Sequence, residues 1–312
     1  MKRVDQIISL VREQTENEDA TSTSGISDEE FIQALNDAQE RLQDRILTEY
    51  PDITFFDAST TTSIVTNVRA YPIGSSTVRP ILSGAISLVE YRQDSLEESY
   101  FQLERRELDE LSLVRCDIPS AYTSRGSNIL IGPIPSSSIG NLRVTFAREV
   151  NSLDKRRAKV ASTANNGTSY TTITLDSDPE PDEILDDMDY FICINSAYGD
   201  VEYYNIPVSE YDVATRIMTL DSDVLLSAGT ISPGDWVTFG KWTTTHSELP
   251  SKCEKYLKAY CKWIILRRDS SNDAVEQNEE LAAMEVQLVS MFKKMDRDRK
   301  RLPIDYSSPY TI

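Results

Sequence analysis

Histidine is almost absent from this chain: 312 residues contain one, His246. Hydrolysis or acyl transfer through an activated nucleophile needs a base, an orienting group and a nucleophile held together. His246 lies in Thr243-Thr244-Thr245-His246-Ser247-Glu248, where β texture gives way to helix. A base beside Ser247 or Glu248 is the sharp reading, and a hinge or capping residue is the favoured one. No G-x-S-x-G, P-loop or G-x-G-x-x-G stretch occurs. The chain therefore reads as non-enzymatic, with no cofactor and no catalytic set. Cysteine is also scarce. Cys116, Cys193, Cys253 and Cys261 are far apart and form no C-x-x-C pair, so buried, reduced thiols are the favoured reading.

Positive charge is short as well. Lys and Arg number 32 against 51 Asp and Glu, a formal charge of −19. Such a chain is repelled by bare nucleic acid and by anionic membranes. No window reaches the roughly 18 uncharged apolar residues of a membrane span. The opening, interrupted by Glu13, Glu16, Glu18 and Asp19, does not read as a signal peptide, so synthesis in the cytoplasm is expected. Acidic residues gather at Asp176, Asp178, Glu180, Asp182, Glu183, Asp186, Asp187 and Asp189. Hard-oxygen ligands of this kind suit Ca²⁺, but the EF-hand spacing is missing, so a solvated loop is the favoured reading and no metal is assigned.

What the chain does have is helix at both ends and β in the middle. Val4, Ile7, Ile8 and Val11 mark one helical face. Ser27-Asp28-Glu29-Glu30 reads as a capping box before Phe31, Leu35, Ala38, Leu42 and Ile46, and Pro51 ends that helix. From residue 58 the texture is β-branched runs broken by Pro and Gly. Strands are expected at Ser63–Thr66, Ala85–Tyr91, Asn128–Ile131 and Leu142–Phe146, with a helical interruption at Glu104–Leu113 through Leu108 and Leu111. A second β region follows. It carries a weak repeat, Thr-Ile-Thr-Leu-Asp-Ser-Asp at 172–178 and Ile-Met-Thr-Leu-Asp-Ser-Asp at 217–223. Helix returns after Pro250, with Cys253, Tyr256, Leu257, Tyr260, Cys261 and Ile264 on one face. The last helix has Leu281, Met284, Leu288, Met291 and Met295 at alternating three and four spacing, the pattern of a bundle seam.

These elements predict an α+β chain: a four-helix bundle formed by the N- and C-terminal helices, interrupted by antiparallel β-sandwich or barrel insertions. The expected parts are residues 1–57 and 241–301 as the two halves of the bundle, 58–154 as a β-rich domain, 155–240 as a small inserted β domain, and 302–312 as an extended tail. The tail, with Leu302, Ile312, two prolines and two tyrosines, suits docking into a groove or sheet edge of another chain. Lys293, Lys294, Arg297, Arg299, Lys300 and Arg301 lead into it, either as favourable charge at a helix end or as a docking segment for an acidic partner.

Three places carry a likeness to a known family. They are Val4-Asp5-Gln6-Ile7-Ile8 with Ser27-Asp28-Glu29-Glu30-Phe31 and Asn36-Asp37-Ala38-Gln39; Leu249-Pro250 with Cys253-Glu254-Lys255-Tyr256-Leu257; and Asn278-Glu279-Glu280-Leu281 with the tail. In them the chain resembles the head-to-tail adaptor (connector) proteins of short-tailed phages, the tail tubular protein A type. The resemblance implies a virion protein at the head–tail interface that forms a homo-oligomeric ring, usually twelve-fold, between the portal protein and the tail nozzle protein. DNA would pass through the channel without specific binding, and no membrane would be involved. It implies portal docking by Arg301, Leu302, Pro303, Ile304, Tyr306, Pro309, Tyr310 and Ile312. The inserted β region departs from the family layout. Two other readings stand beside it: a nozzle-like tail protein, or a glycan-binding or glycan-cleaving tail protein with Trp236 and Trp242 as stacking platforms.

Overall fold

A computed structural model of the chain describes residues 2–15, 26–73, 81–93, 100–111, 115–116, 118–126, 128–179, 190–225, 230–268 and 273–301. The fold is mixed α+β. The chain divides into two compact units, Met1–Arg45 with Val150–Ser290, and Ile46–Glu149 with Met291–Ile312.

The first unit holds helices α1 (Val4–Thr15), α2 (Asp28–Glu49, as far as Arg45), α3 (Glu254–Arg268) and α4 (Asp273–Arg301, as far as Ser290). Helix α2 starts at the expected box: the Glu30 amide donates to the Ser27 hydroxyl at 3.2 Å, and the Ser27 amide donates back to the Glu30 carboxylate at 2.9 Å. Its apolar stripe Phe31, Leu35, Ala38, Leu42 and Ile46 is buried along its whole length. Polar contacts join the helices. The Arg12 guanidinium of α1 donates to the Ile26 carbonyl and to Asp28 at 3.0 and 2.6 Å and lies over the Phe31 ring. Glu285 of α4, 8% exposed, accepts from Tyr256 of α3 at 2.9 Å and from Arg41 of α2 at 2.8 Å. One carboxylate thus ties three helices, and a buried charge is tolerated because it is paired and hydrogen-bonded.

The same unit holds β11 (Ser152–Leu153), β12 (Ala158–Asn165), β13 (Ser169–Leu175), β14 (Tyr190–Asn195), β15 (Val201–Asp212), β16 (Ile217–Leu225), β17 (Trp236–Phe239) and β18 (Thr243–Thr244). Six of them close into a barrel in the order β12-β13-β16-β15-β14-β17. Val160, Ile173, Leu175, Ile192, Ile194, Ile206, Met218 and Val237 fill its centre, as the inward alternation of small barrels requires. The two repeat copies are barrel neighbours: β13 and β16 pair antiparallel, with Thr172 opposite Thr219 and Ile173 opposite Met218.

The second unit holds β1 (Asp57–Ser63), β2 (Ala70–Pro72), β3 (Ile81–Arg92), β4 (Phe101–Gln102), β5 (Glu104–Arg105), β6 (Arg115–Cys116), β7 (Ala121–Arg125), β8 (Asn128–Gly132), β9 (Ile134–Pro135) and β10 (Asn141–Arg148). They form sheets β1-β10-β3-β4 and β2-β8-β7-β5 and a small pair β6-β9. Tyr71, Val89, Tyr91, Tyr122, Ile129, Ile131, Leu142, Val144 and Phe146 from both larger sheets share one core, a sandwich. The end of α4 belongs here: Phe292 is fully buried and its ring meets those of Phe55 and Phe56 at 5.1 and 6.0 Å.

Two local expectations are corrected. Among the described residues of the Glu104–Leu113 stretch, 104–111, no helix forms. Glu104–Arg105 is strand β5, paired in parallel with Ala121–Tyr122, and a turn follows in which the Glu110 amide donates to the Glu107 carbonyl. Leu108, 43% exposed, has no helical core face to join, while the β5 backbone satisfies itself on β7. The strand expected at Ser63–Thr66 lies earlier: β1 runs Asp57–Ser63 in unbroken register with β10, and Ile64 leaves it to enter the sandwich core.

Candidate functional site

The best-built polar site in the first unit lies where the chain passes from helix to barrel and back, at residues 150–158 and 236–249. Helix α2 presents Asn36, Gln39 and Gln43 at intervals of three and four, so they follow one side of the helix. Their amides read the backbone of 150–153 as a neighbouring strand would. The Leu153 amide donates to Asn36 at 2.6 Å, and Asn36 donates to the Leu153 carbonyl at 3.1 Å. Gln39 donates to the Asn151 carbonyl at 3.2 Å, and the Val150 amide donates to Gln43 at 3.2 Å. On the other side β11 pairs in parallel with β18. Asn151 donates from its side chain to Tyr204 and Glu248, both at 2.8 Å, and Ser247 hydrogen-bonds Gln39. The backbone that enters the barrel is therefore held by side chains from a helix.

Asp154 pins the barrel's foot. It is 4% exposed, accepts from Arg157 at 2.8–3.1 Å and takes the Phe239 amide at 2.9 Å. Burial pushes its carboxyl up, and the Arg157 bonds oppose that shift. His246 sits at the return to helix. Its ring stacks on Trp236 at 5.6 Å and its Nδ1 shares a hydrogen bond with the Thr245 hydroxyl at 2.9 Å. Its backbone bridges Arg3, whose guanidinium lies 4.7 Å from the Trp236 ring centre. Burial lowers the imidazole's pKa, nearby positive charge including Arg3 lowers it further, and Asp5 and Asp200 oppose this. The ring also faces the backbone of Gly199, where φ is +97° and a Cβ would collide with the imidazole. His246 contacts Trp236, Thr245 and Gly199; neither Ser247 nor Glu248 bonds its ring among the described residues.

The other expected positions fall as follows. On α4, Leu281 and Leu288 are buried, while Met284, Met291 and Met295 are half-buried. The deepest line of that helix adds Gln277, Glu285, Val289 and Phe292, two of them polar and so invisible to a search for apolar heptads. Arg301 closes α4. Leu302, Pro303, Ile304, Tyr306, Pro309, Tyr310 and Ile312 lie outside the described residues, as do the acidic residues from Glu180 to Asp189. Asp176 and Asp178 are both used locally. Slight burial raises the Asp176 carboxyl, but bonds from the Lys159 amide and the Ser177 hydroxyl bring it below the usual range. Asp178 accepts from Tyr211 at 2.7 Å. Among the described residues no three His, Cys, Asp or Glu side chains gather as a metal site, and no helix is long and apolar enough to cross a membrane. Cys193, Cys253 and Cys261 are free and buried, and burial raises the Cys253 thiol to about 12. Trp236, 9% exposed, is not a stacking platform for sugars. Trp242 packs its ring on Tyr204 at 5.0 Å.

Asn36, Gln39 and Gln43 escaped the sequence reading as a group because the apolar stripe beside them dominates the helix. Amides at spacing three and four flanking that stripe were the available signal.

The chain matches no curated protein. Residues 2–186, which take in α1, α2, the sandwich strands and the first barrel strands, match the family described as SU10 adaptor protein. That span exceeds half of the sequence and contains the Asn36–Gln43 clamp, so this chain belongs to the SU10 adaptor protein family.

Proposed function

We propose that this protein is a structural, non-catalytic head-to-tail adaptor of a short-tailed phage, of the tail tubular protein A type. It is made in the host cytoplasm and built into the virion at the head–tail interface. Copies assemble as a ring, twelve-fold in this reading, between the portal protein and the tail nozzle protein, with the four helices forming a bundle that packs around the DNA channel. The observation that carries the reading is the adaptor-family match over residues 2–186. The contacts of Arg12, Arg41 and Glu285 between helices support a bundle. A charge of −19 per copy suits a channel wall that repels DNA phosphates and lets the duplex slide. In this reading Arg301 to Ile312 reach the portal, the seam of Leu281, Met284, Leu288, Met291 and Met295 holds the last helix in the bundle, and residues 155–240 are a small inserted β domain distinct from the β-rich domain 58–154 and from the bundle halves 1–57 and 241–301.

The test mixes purified protein with the portal assembly of the same phage, with and without residues 302–312, and images the products by negative stain. Rings on the portal from the full chain, and none from the truncated chain, support both the adaptor role and the tail's part in it. Binding by neither version overturns the reading.

A further inference from the structure

Helices α3 and α4 carry opposite charge. Residues 252–268 hold Lys252, Lys255, Lys258, Lys262, Arg267 and Arg268 against Glu254 alone, in a chain whose net charge is −19. Residues 274–290 hold Glu276, Glu279, Glu280 and Glu285 and no lysine or arginine. Inside one protomer part of this is matched, by Lys255–Glu280 at 3.9 Å and Lys258–Glu254 at 3.1 Å. Among the described residues no ion pair joins Glu276 or Glu279 to a cation.

The outward face of α4 is not an ordinary solvated face. Val275, Glu279, Ala282 and Val286 recur at steps of four, three and four, and all are exposed; Val275 is 69% and Val286 62% exposed. The buried line through Gln277, Leu281, Glu285 and Leu288 runs along the opposite side of the helix. So α4 has two seams, one filled within the protomer and one empty. A solvated helix face is normally polar throughout, yet three of the four residues on this one are apolar. On the side of α3 away from its buried line, Lys255, Ala259, Lys262 and Leu266 recur at the same steps; the Lys255 side chain is 79% exposed, and Ala259, Lys262 and Leu266 are half-buried. Each stripe is about 16 Å long.

We infer that the outward α4 face of one copy packs against the outward α3 face of a second copy. The inference rests on the adaptor reading and deepens it by naming the surfaces through which copies join. Val275, Ala282 and Val286 would be covered by Ala259, Leu266 and the lysine stems, which lie along apolar surface while their ammonium groups stay at the rim. Lys255 and Lys262 then meet Glu276 and Glu279, which fixes register and rejects the α4-on-α4 pairing that would oppose glutamates. The acidic frame turns away phosphate-bearing partners. The two faces differ, so the contact is heterologous: each copy offers one face and receives the other, and the series closes as a ring.

Sedimentation velocity of the full-length protein at low salt, from micromolar to millimolar concentration, tests this. Wild type is expected to self-associate and to lose that association as salt rises. Lys255→Glu with Lys262→Glu, and separately Glu276→Lys with Glu279→Lys, are each expected to weaken it by roughly tenfold or more. Mixing the two variants restores association, because each then offers the face the other needs, and this restoration shows that both are folded. Val286→Asp abolishes association in every mixture. The inference is overturned if wild type shows no salt-sensitive association, or if both charge variants associate as wild type does. In either case a ring still formed on the portal keeps the adaptor reading and assigns the contact to other surfaces.

Discussion

In the barrel of the first unit every strand of the ring has two partners, whereas in the sandwich of the second unit β1, β4, β2 and β5 end their sheets among the described residues. The barrel core is mostly Ile and Val, with Tyr170 and Tyr203 beside them; Tyr170 accepts from the Ile231 amide at 3.1 Å. The sandwich core includes Tyr71 and Tyr91, whose hydroxyls reach outward to bind loops: Tyr71 donates to the Val68 carbonyl at 3.1 Å and Tyr91 to the Ile139 carbonyl at 3.1 Å. A closed barrel satisfies its own backbone; a few buried polar bonds, such as Asn195 to Thr238 at 3.1 Å, lie on its strands, and at its foot Asp154, Asn151 and the α2 amides hold the entering chain. An open sandwich spreads its polar contacts among loops and rims. The difference teaches where each body should be vulnerable: the barrel at its entry, the sandwich in its core and at the helix end that completes it.

The largest expected effect separates the two bodies. Phe292→Ala removes a fully buried ring packed on Phe55 and Phe56 and is expected to cost about 3–5 kcal/mol. Chemical denaturation followed by hydrogen exchange should show the loss in amides of 57–148 and leave the barrel strands protected. Equal loss in both would merge them into one cooperative body. Asn36→Ala strikes the barrel's entry. It removes two hydrogen bonds to the Leu153 backbone and should cost about 1–3 kcal/mol by leaving that amide and carbonyl unpaired. Exchange should then speed first at Ser152 to Asp154 rather than inside the barrel.

Smaller effects sharpen the same contrast. Removing the capping hydroxyl with Ser27→Ala should lower stability by about 1 kcal/mol, readable as a lower midpoint with unchanged slope in urea. The smallest is a pH effect at His246. Its folded-state pKa is depressed, so the unfolded chain binds the proton more readily and stability rises with pH. That contribution is fully present above the unfolded value near 6.5 and is lost as pH falls below it toward the depressed folded value. Thermal melts at pH 7.5 and 5.5 should therefore differ more for wild type than for His246→Asn. An equal difference in both would show that this histidine does not report on the barrel's return to helix.

Part of this was legible from the residues alone. The α2 stripe, the Ser27–Glu30 box and the α4 helix follow from local spacing, because a helix bonds within itself and its signals lie three and four residues apart. The failure at Glu104–Leu113 has the opposite cause: β5 is a strand only because Ala121 and Tyr122 lie beside it, and Leu108 with Leu111 imitates a helical face by chance. The same holds for α4, where Met284, Met291 and Met295 fit the heptad but Glu285 and Gln277 go deeper, since Tyr256 and Arg41 satisfy Glu285 from other helices.

The sequence by itself determined the order of helix and β texture, the charge of −19 and the scarcity of histidine and cysteine, because these are properties of single residues and near neighbours. Only the tertiary structure decided that two distant repeats lie side by side in one barrel, that three amides on a helix substitute for a strand edge, and that α4 bears one filled and one exposed seam. Each of these depends on which groups meet across long stretches of chain, and burial and hydrogen bonding are settled there.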